Sequence, residues 1–257
     1  MIPLNTINDW GLSHPWPTIE QIEQDLLLSR ALCEISNDPL LGEELIFRGD
    51  TALNKLFLPQ PLRYSEDLDF VRSTPGGIGE IMRRFNELGE AAGFKANTQL
   101  GRYPKAEWKT ISLNGYPLKI RIEINTEERN PAFPYKAVSH EIRTNWYQNS
   151  AVIRVFQAEE LIATKIRALY QRSKGRDLFD IWLALDHLKL DPIIILSAFE
   201  RYRPAGYSAT AAIMNLEKKL DDNNFLLDME NLIAPSASDY DVYAAGARVV
   251  QDLLRKT

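Results

Sequence analysis

Three acids crowd the stretch RYSEDLDFV at residues 63–71: Glu66, Asp67 and Asp69. Tyr64, Leu68, Phe70 and Val71 favour extended backbone, so the stretch reads as a β-strand. Side chains alternate along a strand, which sends Asp67 and Asp69 to one face and Glu66, Leu68 and Phe70 to the other. A second stretch, LKIRIEIN at 118–125, points Ile120, Ile122 and Ile124 one way and Lys119, Arg121, Glu123 and Asn125 the other. Alone, that alternation equally fits an ordinary half-solvated strand. If the two strands are neighbours, Glu123 joins Asp67 and Asp69 on one polar face. Carboxylates held about 4 Å apart repel by roughly 4 kcal/mol per pair at an effective dielectric near ~20. A divalent cation removes that cost. Hard oxygen ligands favour Mg²⁺ or Mn²⁺, ions that keep waters and bridge to substrate phosphates.

Two further segments carry chemistry. In FRGDTALNKLF, Gly49 permits a tight turn from strand into helix, and the helix N-terminus offers free N–H groups and a positive dipole end. That is a seat for nucleotide phosphates; a plain cap by Asp50 or Thr51 is compatible with it. In KIRALYQRSKGRDLFDIW, Lys165, Arg172 and Arg176 follow at intervals that one continuous helix would bring to one side. Gly175 interrupts that pattern. The plainer alternative is a solvated cationic face, with Asp177 as an N-cap and Asp180 in the first turn. Leu161, Ile162, Ile166 and Leu169 form an apolar stripe with Lys165 near its edge, where a lysine ordinarily snorkels and its loss changes stability by about 0.5 kcal/mol or less. His14, His140 and His187 show no ligand spacing and read as structural, and no Ser/His/Asp or Cys/His set stands out.

The elements that must position these groups fall into two kinds. PTIEQIEQDLLLSRALCEISND is a helix opened by a Thr18/Gln21 capping box, with Ile19, Ile22, Leu26 and Leu27 at helical spacing. EELIFRGDTALNKLFLP is a short strand, a turn at Gly49 and a helix over about residues 51–58, closed by Pro59 and Pro61. GGIGEIMRRFNELGEAAGF is helical after its start, and strands follow around AEWKTISLN and YPLKIRIEINTEE. From about residue 156 every periodic segment is helical. Mixed α/β followed by all-α predicts an α/β lobe with a mixed sheet flanked by helices over residues 1–155, then a helical lobe over 156–257. No internal repeat is visible.

Bulk composition narrows the rest. At 257 residues the chain can bury a sizeable core, and 45% hydrophobic with 25% charged residues is ordinary for a globular protein. The single cysteine, Cys33, rules out a disulfide within one chain and suits a reducing cytoplasm. The first residues lack a basic region followed by an apolar one, so they do not read as a signal peptide, and no run is long enough to span a bilayer. A net charge of −5 argues against wholesale polyanion binding, while leaving room for a local basic patch.

Together, FRGDTALNKL, RYSEDLDFV, KIRIEIN and KIRALYQRSKGRDLFD resemble, in order, the AbiEii/AbiGii toxin family of nucleotidyltransferases, which have a polymerase-β-like fold. The likeness covers most of residues 46–183. It implies an α/β nucleotidyltransferase lobe and a helical lobe that completes the active site, in a toxin of a bacterial toxin–antitoxin or phage-defence pair. Relatives transfer nucleotides from NTPs to the 3′ end of tRNA. By position, the resemblance makes Asp67 and Asp69 the metal pair and Glu123 the third carboxylate. Gly49, Asp50, Thr51 and Ser65 fall at the nucleotide, and Lys165 matches a triphosphate lysine. Arg172 and Arg176 would help Lys165 grip the triphosphate; Arg176, Asp177 and Asp180 fall on the R-D-x-x-D portion of the family's helical motif, where Asp180 would orient Lys165 or the base. The implied cofactor is Mg²⁺ or Mn²⁺, and the implied partners are an NTP, tRNA and a cognate antitoxin, with no membrane. In one place the chain departs from the pattern: the family commonly has Gly-Gly or Gly-Ser where this chain has Gly49-Asp50. A carboxylate there repels phosphate, caps the helix while turned away, or alters which nucleotide is accepted. Two other activities fit the same residues: nucleotidylation of a small molecule or a protein hydroxyl, and a catalytically disabled nucleotide- or RNA-binding module.

Overall fold

A computed structural model describes residues 1–237 and 239–257. They form two compact units, Met1–Pro131 with Tyr135–Phe156, and Ala132–Pro134 with Gln157–Thr257.

The first unit opens with three helices, α1 (Leu4–Ser13), α2 (Ile19–Asn37) and α3 (Pro39–Glu44). There follow β1 (Leu45–Arg48), α4 (Gly49–Leu56), β2 (Asp67–Arg72), α5 (Gly79–Ala91), β3 (Lys95–Gln99), β4 (Lys105–Ile111), β5 (Pro117–Asn125), β6 (Lys136–Arg143) and β7 (Gln148–Val155). The strands make one seven-stranded sheet in the order β3-β4-β5-β2-β1-β7-β6. It is mixed, because β2 runs parallel to β5 and β1 parallel to β7 while the other pairs are antiparallel. Alternation decides which face is core: Leu68 and Phe70, Ala106 and Trp108, and Ile120, Ile122 and Ile124 are all buried. Helix α2 begins with the expected capping box, in which the Gln21 N–H donates to Thr18 Oγ1 and the Thr18 N–H to Gln21 Oε1. It also anchors α4, since Lys55 Nζ lies 2.8 Å from both Asp25 Oδ1 and Ser29 Oγ. Asp25 further accepts from Trp10 Nε1 at 2.9 Å, and the Trp10 and His14 rings stack 4.0 Å apart. Cys33 is fully buried.

The second unit contains α6 (Ala158–Gln171), α7 (Gly175–Asp186), α8 (Pro192–Tyr202), α9 (Ala209–Leu220), α10 (Asn223–Leu226) and α11 (Val242–Asp252), where α5 is the last helix before them. Side chains of Asp191, Ser208, Asp222 and Asp241 cap α8, α9, α10 and α11. Helix α6 is central, packing on α7, α8 and α9. Its Glu160 is fully buried and accepts the N–H groups of Ala132 at 2.6 Å and Phe133 at 3.2 Å, together with the Tyr202 hydroxyl.

The mixed α/β plus all-α architecture is the expected one, with local differences. Elements α1, α3, β3, β6 and β7 were not expected from the sequence. LNTINDWGLS is rich in weak helix formers, and KANTQ and KAVSHEIR lack an apolar alternation because their strands lie at the sheet's edges. Helix α4 starts two residues before the expected position, and β2 begins only at Asp67. The interruption expected near Gly175 is present: α6 ends at Gln171, the break covers Arg172–Lys174, and Gly175 opens α7. No helix among the described residues is long and apolar enough to cross a membrane.

Candidate active site

Strand pairing aligns four charged residues in one row across four strands. Arg48 on β1 is opposite Asp69 on β2, Asp69 is opposite Glu123 on β5, and Glu123 is opposite Lys105 on β4. Cross-strand partners share a face, so two carboxylates stand side by side between two cations. The next row places Asp67 opposite Arg121. Glu123 forms an ion pair with Lys105 at 2.6 Å, and Arg121 Nη1 lies 3.6 Å from Asp67 Oδ1 and 3.5 Å from Glu66 Oε1. Arg48 pairs with Glu128 at 2.5 Å and rests over the Phe156 ring. Asn125 holds Glu128 in place, its Oδ1 accepting the Glu127 and Glu128 N–H groups at 2.8 Å each.

The β1–α4 turn is fitted to Asp69. Gly49 has φ +80, and a Cβ there would lie 2.3 Å from Asp69 Oδ2 and 2.9 Å from Asp69 Cβ. Both the backbone and the space require glycine. Gly49→Ala is expected to destabilise the protein by about 1–3 kcal/mol, roughly 2–12 °C in Tm, and to displace the Asp69 carboxylate. Melting curves with and without Mg²⁺ check this; a variant matching wild type in both would show that the turn does not hold Asp69.

The expected cap is absent. Arg48 occupies the N-cap position of α4, and no side chain caps that end. Thr51 instead donates through Oγ1 to the Asp67 carbonyl at 2.5 Å, and its hydroxyl lies 2.7 Å from Ser65 Oγ. Since the Thr51 proton goes to Asp67, Ser65 is the donor in that second bond. These hydroxyls fasten the start of β2 to α4. Asp50 faces Arg63, whose Nη2 is 2.7 Å from Asp50 Oδ2 and which is 2% exposed. The extra carboxylate at the turn is therefore matched by a buried guanidinium and does not serve as a helix cap.

Crowding shows in protonation. Burial, then the Asp50 charge, and then Asp67 and Glu123 push Asp69 up to about 7, with Arg48 opposing. Burial, then Glu66, Glu123 and Asp50 push Asp67 up to about 6, with Arg121 opposing. Asp67 Oδ1 is shielded from solvent and accepts no hydrogen bond. A half-buried carboxylate pair that resists ionisation, with an oxygen lacking a donor, suits a bound cation. Among the described residues no three His, Cys, Asp or Glu side chains are arranged to hold a metal, and Glu123 is engaged by Lys105. Mg²⁺ is commonly bound through one or two carboxylates plus substrate phosphates, and Asp67 and Asp69 are the residues here that could hold it.

In the helical unit four of the expected residues come together. Lys165 is 5% exposed, and its Nζ lies 3.0 Å from Asp177 Oδ1 and 2.9 Å from Asp180 Oδ2. Arg172 grips Asp177 in a fork, Nε to Oδ2 at 2.7 Å and Nη2 to Oδ1 at 2.8 Å. This corrects two expectations. Lys165 is interior, because α6 is covered on several sides, and Asp177 is the third residue of α7, whose N-cap is Lys174. Arg176 stands apart: its backbone N–H donates to Asp228 Oδ2 at 3.2 Å, and its Nε is shielded without a hydrogen-bond partner. Sequence reasoning missed Arg48, Arg63 and Lys105 as partners of the acids, and Glu128 as the partner of Arg48. Arg48 and Arg63 border the acidic motifs directly, but only strand register and burial show whom they serve.

A comparison with curated proteins returned no match. Among solved structures, MenT4, a nucleotidyltransferase toxin from Mycobacterium tuberculosis H37Rv, superposes with a TM-score of 0.64 at 18% identity, over 100% of this chain and 91% of that one. An antigenic nucleotidyltransferase-like protein from Paracoccidioides brasiliensis aligns with a TM-score of 0.43 at 15% identity, over 84% of this chain and 95% of that one. The first of these shares the fold. The family model described as nucleotidyl transferase AbiEii toxin, type IV toxin–antitoxin system, matches residues 30–245, most of the length, and the chain belongs to that family.

Proposed function

We propose that the protein is a metal-dependent toxin that moves an NMP from an NTP to the 3′ end of tRNA, in a bacterial cytoplasm where a cognate antitoxin restrains it. The observation that carries this reading is the register of Asp69 with Glu123, with Asp67 on the same face and both aspartates resisting ionisation. Asp67 and Asp69 would hold Mg²⁺ or Mn²⁺, which when bound lowers the pKa of an acceptor hydroxyl and neutralises charge on pyrophosphate. The chain's own groups do the rest. Glu123 takes the proton of the acceptor hydroxyl, and Lys105 keeps that carboxylate oriented. Gly49 lets the backbone of the turn approach phosphate closely, while Thr51 and Ser65 hold Asp67 in position. By the family motif, Lys165, Arg172 and Arg176 would be the helical unit's nucleotide-binding cations, with Asp177 and Asp180 fixing Lys165. Arg63 offsets Asp50, which speaks for a working site over a disabled one.

Incubation of the protein with each labelled NTP, with and without total tRNA, tests the proposal. Label on tRNA, at its 3′ end and dependent on Mg²⁺, is the expected result. Label on a metabolite or on protein would replace tRNA as the acceptor, and no transfer to any acceptor would overturn the reaction itself.

A further inference from the structure

The face of β3–β4–β5 that carries Glu123 is open to solvent and basic. Lys95, Lys109 and Lys119 stand in one register across the three strands. Lys105 and Arg121 lie on the same face, nearer the aspartates. These five cations meet only two carboxylates among the strand residues of that face, Glu107 and Glu123, although the chain as a whole carries a net charge of −5. Glu107 is shared between Lys109 at 2.9 Å and Lys119 at 3.2 Å, so one carboxylate serves two ammonium groups. At the end of the face level with Glu123, the loop of residues 100–104 presents Tyr103, 57% exposed, with the Arg102 guanidinium 5.4 Å from its ring centroid.

Neighbouring strands lie about 4.8 Å apart, so the lysine row spans roughly 10 Å. An extended polyanion can follow that spacing, and its attraction is local, because the rest of the chain is acidic. An exposed aromatic ring beside a guanidinium is a platform for unpaired bases. A single small anion would engage one row and leave the platform idle. A lipid surface would make no use of Asp67 and Asp69, which continue the Arg121 and Glu123 rows onto β2.

We propose that this sheet face is the docking track of an acceptor RNA, with phosphodiesters on Lys95, Lys109 and Lys119 and an unpaired base on Tyr103, so that the strand's end arrives at Asp67 and Asp69. The inference rests on RNA being the acceptor in the reaction proposed above. The test is fluorescence anisotropy with labelled total tRNA across a salt series, for wild type, the triple variant Lys95→Gln/Lys109→Gln/Lys119→Gln, and Tyr103→Ala. The triple variant is expected to bind at least tenfold more weakly near 100 mM salt, and to lose roughly 2–3 from the slope of log affinity against log salt. Tyr103→Ala is expected to weaken binding roughly fivefold or more with an unchanged slope. Melting temperature and Mg²⁺-NTP binding should stay at wild-type values in both. Unchanged RNA affinity and slope in the triple variant would overturn the track, as would a loss confined to binding of an acidic protein partner. The two proposals fail separately. Transfer to tRNA with full binding by the triple variant removes the track alone, and slope loss without any transfer to RNA removes the reaction and the acceptor role, leaving the face as an RNA-binding surface.

Discussion

Asp69→Asn is expected to abolish nucleotidyl transfer, by at least a thousandfold or about 4 kcal/mol of barrier, while leaving the fold intact. The amide keeps the shape that fits against Gly49 but lacks the charge needed to hold a cation. Stability should move the other way. In the folded chain Asp69 gives up its proton near pH 7, against 3.8 as its ordinary value. Between about pH 4 and 7 the folded chain therefore binds more protons at this site than the unfolded chain. Stability falls as pH rises through that window and levels off above it. Asn has no such penalty, so at pH 8 the metal-free variant should melt at or above wild type, and the decline between pH 4 and 7 should shrink. Stabilisation by added Mg²⁺ should shrink as well. A variant melting well below wild type at pH 8 would mark Asp69 as a structural hydrogen-bond acceptor and remove it from the metal pair.

Lys165→Met is expected to cost about 3–5 kcal/mol of stability, because it leaves two fully buried carboxylates, Asp177 and Asp180, short of their shared ammonium. For a chain of this size that is a Tm loss of roughly 6–20 °C. Asp177 keeps the Arg172 fork, so most of the loss should be traceable to Asp180. The double variant Lys165→Met/Asp180→Asn should therefore recover part of it. A single variant that melts like wild type would mean that water or another donor replaces Lys165 easily. NTP affinity, measured below the melting transition, bears separately on function. A weakening of at least tenfold, about 1.4 kcal/mol, supports contact with the triphosphate, and unchanged affinity leaves Lys165 purely structural.

How far these residues could be read in advance depended on the kind of information each required. Alternation sufficed to put Asp67 with Asp69, and Lys119, Arg121 and Glu123 on a common face, because a strand's period is local. The Thr18/Gln21 capping box was likewise legible, being a contact between residues three apart. Opposing Arg48 to Asp69, or Lys105 to Glu123, requires strand order and register, which bring together residues far apart in the chain. Lys165 misled for a related reason. One helix viewed alone has a wet edge, and that edge disappears once α7, α8 and α9 surround α6. Strand β6 was invisible because an edge strand with one open face carries polar residues at most positions.

Glu160 bears on how this protein can be divided. Its buried carboxylate takes the Ala132 and Phe133 N–H groups, and Gln157 Nε2 donates to the Pro134 carbonyl at 2.9 Å. A short mid-chain stretch, made before Gln157, thus belongs to the compact body built mainly from residues made after it. A fragment starting at Gln157 would keep Tyr202 on Glu160 but lose two backbone donors to a buried charge, each worth about 1.5–3 kcal/mol. The helical portion is therefore not a cassette that can be cut at one point and transplanted. Recombination between relatives would need to bring residues 132–134 along with it, and on the ribosome that body has to wait for its C-terminal residues while its first strand of chain is already in hand.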